Sequence, residues 1–136
     1  MLKIACIKKW MENLNVADYY YLGNVEDNQI HSLAIYQQKN ETSSRTCIGK
    51  PKNATKLKQV SILVYWSNSY EETEEKALEI YELVREMDML NLSNLLMAEV
   101  KYISLVDNEP VDIGRDNSGI YQREINIDIF YEERMN

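Results

Sequence analysis

Ile4, Ile7, Trp10, Met11 and Leu14 recur at spacings of three and four, with Lys8, Lys9 and Glu12 between them. That period is the buried stripe of an amphipathic helix and predicts one from Leu2 to Asn13. Two short runs follow, Tyr19 to Leu22 and His31 to Gln38, both rich in aromatic or branched residues and separated by Gly23, Asn24, Asp27 and Asn28. They predict two strands, for which a hairpin is the simplest connection. Val60, Ile62, Val64 and Trp66 then alternate with Ser61, Leu63 and Tyr65, so this strand is apolar on both faces and belongs near the middle of a sheet.

Ser69 stands three residues before Glu72, a capping-box spacing, and Glu71, Glu72, Glu74 and Glu75 gather where a helix dipole favours negative charge. Ala77, Ile80, Tyr81, Val84 and Met87 continue the period, predicting a helix from Tyr70 to Met87 that the polar stretch Asn91-Leu92-Ser93-Asn94 ends. Met97 to Leu105 has strand character and closes at the turn formers Asp107-Asn108-Glu109-Pro110. In the last segment Tyr121, Arg123, Ile125, Ile127, Ile129 and Tyr131 fall on one side and Gln122, Glu124, Asn126 and Asp128 on the other. This is a strand covered on one face only. The order α-β-β-β-α-β-β describes an α+β domain, an antiparallel-rich mixed sheet with two helices on one face.

Length and composition narrow the class. A chain of 136 residues with 45% hydrophobic content fits one domain with one core. It has no apolar run of the ~20 residues a membrane span needs and no signal-peptide pattern at its start, so it is expected to be intracellular when made. Cys6 and Cys47 match neither a disulfide framework nor zinc-ligand spacing and read as ordinary reduced thiols. The formal charge is −7 but uneven: Lys39, Arg45, Lys50, Lys52, Lys56 and Lys58 stand against Glu41 alone, leaving one basic segment on an acidic body. Such a body is not a nucleic-acid-binding surface. Residues 39 to 57 hold almost no large apolar side chain, and a mobile loop is expected there. It is either a plain solvated loop or a segment that orders on an acidic partner or a DNA backbone.

Little in the chain points to catalysis. Gly23, Gly49, Gly114 and Gly119 form no phosphate-cradling loop. The lone histidine, His31, lies in a predicted strand without a nucleophile signature and reads as structural or surface. Asp112, Asp116, Glu124 and Asp128 lack the ligand positions of a calcium loop and read as a solvated acidic face. No cofactor or metal is expected, and the chain is read as a non-enzyme. Of the ten tyrosines, Tyr19, Tyr20 and Tyr21 in succession must point to both faces of their strand, leaving at least one for an interface.

One stretch is more specific. Pro110-Val111-Asp112-Ile113-Gly114-Arg115-Asp116-Asn117-Ser118-Gly119-Ile120-Tyr121, followed by Arg123-Glu124-Ile125-Asn126-Ile127 and Tyr131, resembles the C-terminal signature of the small minor capsid proteins of tailed bacteriophages. The order of elements, with a long loop before the third strand, resembles the fold of phage tail terminators. On its own chemistry Asp116-Asn117-Ser118-Gly119 is a tight turn. Arg115 either pairs with Asp112 across that turn or reaches a neighbouring subunit. The resemblance implies a structural virion protein, assembled in the host cytoplasm. It would form a homo-oligomeric ring, a hexamer, that ends the tail tube and joins the head connector while DNA passes through without sequence-specific binding. Under that reading Glu124, Asn126 and Asp128 face the channel. Arg45, Lys50, Lys52, Lys56, Glu71, Glu72, Asp112, Arg115 and Asp116 are the candidates for subunit or partner contacts, the basic loop against the acidic first turn of the second helix among them. The alternatives are a head-completion or connector-stopper protein, a cytosolic binding module, and, last, a small enzyme using Asp112, Asp116 or His31.

Overall fold

The computed structural model describes residues 2–38 and 55–133. It has an α+β fold built from α1 (Ile4–Leu14), β1 (Tyr19–Leu22), β2 (Ser32–Gln37), β3 (Lys56–Tyr65), α2 (Tyr70–Arg85), α3 (Met89–Leu96), β4 (Glu99–Leu105), β5 (Val111–Arg115) and β6 (Tyr121–Glu132). The mixed sheet runs β1-β2-β3-β6-β4, and β5 also pairs with β6. β4 takes the C-terminal half of β6 and β5 its N-terminal half, so two short strands share one edge of the longest one. β3 and β6 are central and antiparallel over their length, from Lys56 opposite Tyr131 to Tyr65 opposite Gln122.

One parity of residues makes the core. Leu33 and Ile35, Val60, Ile62 and Val64, and Ile125, Ile127 and Ile129 pack against Ile7, Trp10 and Met11 of α1, Ala77, Ile80 and Val84 of α2, and Leu92 and Leu96 of α3. The three helices therefore lie on one face of the sheet. α2 starts as its sequence dictates, the Ser69 hydroxyl accepting from the Glu72 N–H at 3.3 Å. No helix among the described residues is long and apolar enough to cross a membrane.

Three features depart from the sequence reading. β1 and β2 are parallel, Tyr19 opposite Ser32 and Leu22 opposite Ile35, and not a hairpin. A strand of four residues is only about 13 Å long, so the connection 23–31 can run back along it without a helical crossover. Its reversals use left-handed backbone at Gly23 (φ 87°), Asp27 (54°), Asn28 (50°) and His31 (58°), so His31 ends the connection rather than lying in β2. A third helix, α3, occupies the stretch assigned to the end of α2. Asp88 caps it by accepting from the Leu90 N–H at 3.0 Å. Ser93, which looked like a breaker, donates to the Met89 carbonyl at 2.8 Å and accepts from the Val100 N–H at 2.9 Å. Finally, Val111–Arg115 is a strand in its own right, half of a β5–β6 hairpin.

Candidate functional site

The face of the sheet away from the helices carries an ordered polar row. Its positions on β6 are Glu124, Asn126 and Asp128, opposite Leu63, Ser61 and Gln59 of β3. Each is held by a neutral donor. The Tyr36 hydroxyl donates to the Glu124 carboxylate. The Ser61 hydroxyl donates to the Asn126 side-chain oxygen at 2.6 Å, and the Asn126 amide donates on to Asp107 at 3.1 Å. Asp128 accepts from the side-chain amides of Gln38 at 3.3 Å and Gln59 at 3.4 Å. Burial, then the hydrogen bond to Glu124 and the charge beside it, pushes the Tyr36 phenol well above its ordinary range, so this donor keeps its proton. The row thus presents fixed carboxylates and carbonyl oxygens, with no Lys or Arg among its members.

Aromatic residues border the row. Tyr19 and Tyr21 of β1 stack at 6.4 Å on this side, while the Tyr20 hydroxyl turns back to accept from the Val16 and Ala17 N–H groups at 2.9 and 3.0 Å. The three consecutive tyrosines do divide between the faces. At the far edge Tyr102 stacks on Phe130 at 4.4 Å. Exposed aromatics on a sheet are also how single-stranded nucleic acid is bound, but that mode needs cations along the backbone track, and here the row between the aromatics is anionic.

The remaining candidate residues do not converge on one place. Arg45, Lys50 and Lys52 lie outside the described residues, as does the loop proper. Lys56 opens β3 and pairs with Glu133 at 3.0 Å. The acidic first turn of α2, with Glu71 and Glu72, follows the other end of the same strand, roughly 30 Å away at 3.3 Å per residue. Lys56 and that turn are therefore not partners within one chain. Asp112 does not meet Arg115: it accepts from the Tyr70 hydroxyl at 3.0 Å and the Gly114 N–H at 2.9 Å and lies 3.9 Å from Arg123. The Arg115 guanidinium sits over the Tyr121 ring at 5.9 Å.

Asp116 organises the hairpin turn. It accepts from the Ser118 and Ile120 N–H groups at 3.0 and 2.9 Å and from the Tyr65 hydroxyl, and Gly119 supplies the positive φ of 84°. Burial acts to raise the Asp116 carboxyl, but the bonds from Tyr65 and from the turn's backbone N–H groups outweigh it and hold the group below its ordinary value. The His31 ring lies against Trp66, centroids 4.6 Å apart and planes tilted by 34°, with Asp18 at 3.4 Å and Glu72 at 3.6 Å from its two ring nitrogens. Two carboxylates and an indole thus surround the imidazole. Asp112, Asp116, Glu124 and Asp128 are dispersed between the hairpin and the open face. Among the described residues no group of His, Cys, Asp and Glu gathers to hold a metal ion.

One residue that matters was passed over in the sequence. Arg123 falls in the apolar period of β6 and is buried, 3.3 Å from Glu74 and under the Tyr70 ring at 5.0 Å. An arginine inside an otherwise apolar register was the available signal. Neither a scan against protein-family models nor a search of curated proteins finds a match to this chain.

Proposed function

We propose that this chain is a structural virion subunit of the tail-terminator kind. It assembles into a ring at the head-proximal end of a phage tail tube, stops tube growth and forms the joint to the head. The observation that carries the reading is the open face of the sheet: Glu124, Asn126 and Asp128 stand in one row along β6, each fixed by an uncharged donor. A conduit for DNA needs a wall whose charge repels phosphate and whose side chains do not reorganise as the polymer slides, and this row meets both needs. The hairpin signature that suggested the family forms a turn held by Asp116, with Arg115 exposed beside it.

Light scattering over a range of protein concentrations, followed by negative-stain imaging, tests the proposal. Rings of about six subunits are expected, because closed cyclic assembly is what capping a tube requires. A chain that stays monomeric even when incubated with tail tubes would overturn it and favour the cytosolic binding module. Rings that bind a head connector but not a tail tube would move the assignment to a connector stopper.

A further inference from the structure

A small cleft opens between α2 and the turn that joins β4 to β5. Glu74 and Leu78 of α2, Glu109 and Pro110 of the turn and Arg123 of β6 line about 200 Å³ of open space. Pockets for cofactors and drug-sized ligands usually start at roughly 300 Å³, so this one suits the end of a single side chain. Leu78 is 41% exposed and makes an apolar wall with Pro110.

The polar groups of the cleft are of two kinds. Arg123 supplies donors: it is 7% exposed, and of its fork of N–H groups only Nη2 bonds to a carboxylate, Glu74 at 3.3 Å, with Asp112 at 3.9 Å beyond it. The Tyr70 ring covers one side of the guanidinium at 5.0 Å. Among the described residues, the one buried side-chain nitrogen or oxygen that lacks a hydrogen bond belongs to Trp10, so the donors Arg123 leaves over reach open space, and the cleft is the space it lines. Carboxylates supply acceptors. Glu109 is exposed and has no hydrogen bond or ion pair with any described residue, and Glu74 is half exposed beside its one bond to Arg123.

Charge decides what enters. Glu74, Glu109 and Asp112 outnumber Arg123, so the cleft repels a carboxylate or a phosphate. A lysine or arginine would set a second cation beside Arg123 and leave its free donors without an acceptor. A primary carboxamide answers both kinds of group and is neutral: its carbonyl accepts from Arg123 and its N–H groups donate to Glu74 or Glu109. We propose that the cleft receives the asparagine or glutamine side chain of a protein partner, its amide between Arg123 and the two glutamates and its aliphatic stem on Leu78 and Pro110. Free glutamine brings a carboxylate of its own toward Glu109 and fits less well. The cleft lies on the helical side of the sheet and is independent of the polar row and of ring formation.

Titration of the full chain with capped single residues, followed by backbone ¹H–¹⁵N chemical shifts, tests the proposal. N-acetylglutamine methylamide is expected to shift the Glu74, Leu78, Glu109 and Arg123 amides saturably, with a midpoint of about 1–10 mM, as befits one side chain with a few hydrogen bonds. The capped glutamate, the capped lysine and free glutamine are each expected to bind at least about threefold more weakly, and Glu109→Ala, on an exposed turn, to weaken the glutamine probe by a similar factor. No saturable shift with any probe up to about 100 mM would overturn the site. Tighter binding of the capped lysine would overturn the carboxamide assignment, and tighter binding of free glutamine would replace the protein partner with a small molecule. An unchanged midpoint in Glu109→Ala would place the probe outside the cleft.

Discussion

Tyr65 and Asp116 are 51 positions apart in the chain and share one hydrogen bond, which fastens the β5–β6 turn to the end of the central strand β3. Tyr65 is almost wholly buried, and burial, followed by its bond to Asp116 and that carboxylate's charge, pushes its phenol up to about 12. A folded-state value above the unfolded one means that the contribution is complete below pH 10.0, the ordinary phenol value, and is lost as the pH rises toward 12. Tyr65→Phe is therefore expected to cost about 1 kcal/mol at neutral pH, with the gap to wild type closing above pH 10. Urea unfolding of both proteins across that range measures it, and a gap independent of pH would remove the hydroxyl from the account. Asp116 works in the opposite sense. Its carboxyl is held down, so its share is complete above the ordinary value of 3.8 and disappears as the pH falls below it. The turn formers were legible as a turn in the sequence, but the tyrosine that anchors it was not, because nothing local links position 65 to position 116.

Among the elements, the attachment of α2 to the β5–β6 hairpin decides how the acidic helix is presented. Arg123 makes that attachment: it is buried on β6, pairs with Glu74 of α2, lies near Asp112 of β5 and packs under Tyr70. Its carboxylate partners are about half exposed and can hydrate if the arginine is lost. Arg123→Ala is then expected to destabilise by about 2 kcal/mol, below the cost of stranding a fully buried charge. Arg123→Met, which keeps the apolar stem, should recover part of that loss. Thermal melts of the three proteins separate packing from charge, and equal losses in the two variants would assign the whole effect to charge. The helices α1 and α2, the central β3 and the alternation of β6 were all legible because each has a clean period over many residues. Helix α3 was not, since a short helix with Asn91, Ser93 and Asn94 inside it earns its stability from Leu92 and Leu96 in the core. The β1–β2 pairing was missed because turn residues mark where a chain bends and not the direction in which it re-enters the sheet.

At the scale of the whole molecule, one face of the sheet is spent on the core and the other is left to its polar row. If that row lines a passage for DNA, its charge sets whether the polymer slides. Wild-type protein is expected to leave duplex DNA free at physiological salt, and Asn126→Lys with Asp128→Lys to retard it in a gel at low salt. Retention of DNA by the wild type would count against the passage reading. The sequence by itself determined the α+β class, the two-faced character of β6 and the gathering of positive charge before β3, because periodicity, caps and composition are local properties. Only the tertiary structure decided that β1 runs parallel to β2, that Arg123 is enclosed between a helix and a hairpin, and that Glu124, Asn126 and Asp128 are tied to Tyr36, Ser61, Gln38 and Gln59. Those outcomes depend on which distant strands become neighbours, and that choice is made by burying one shared core rather than by any stretch of sequence alone.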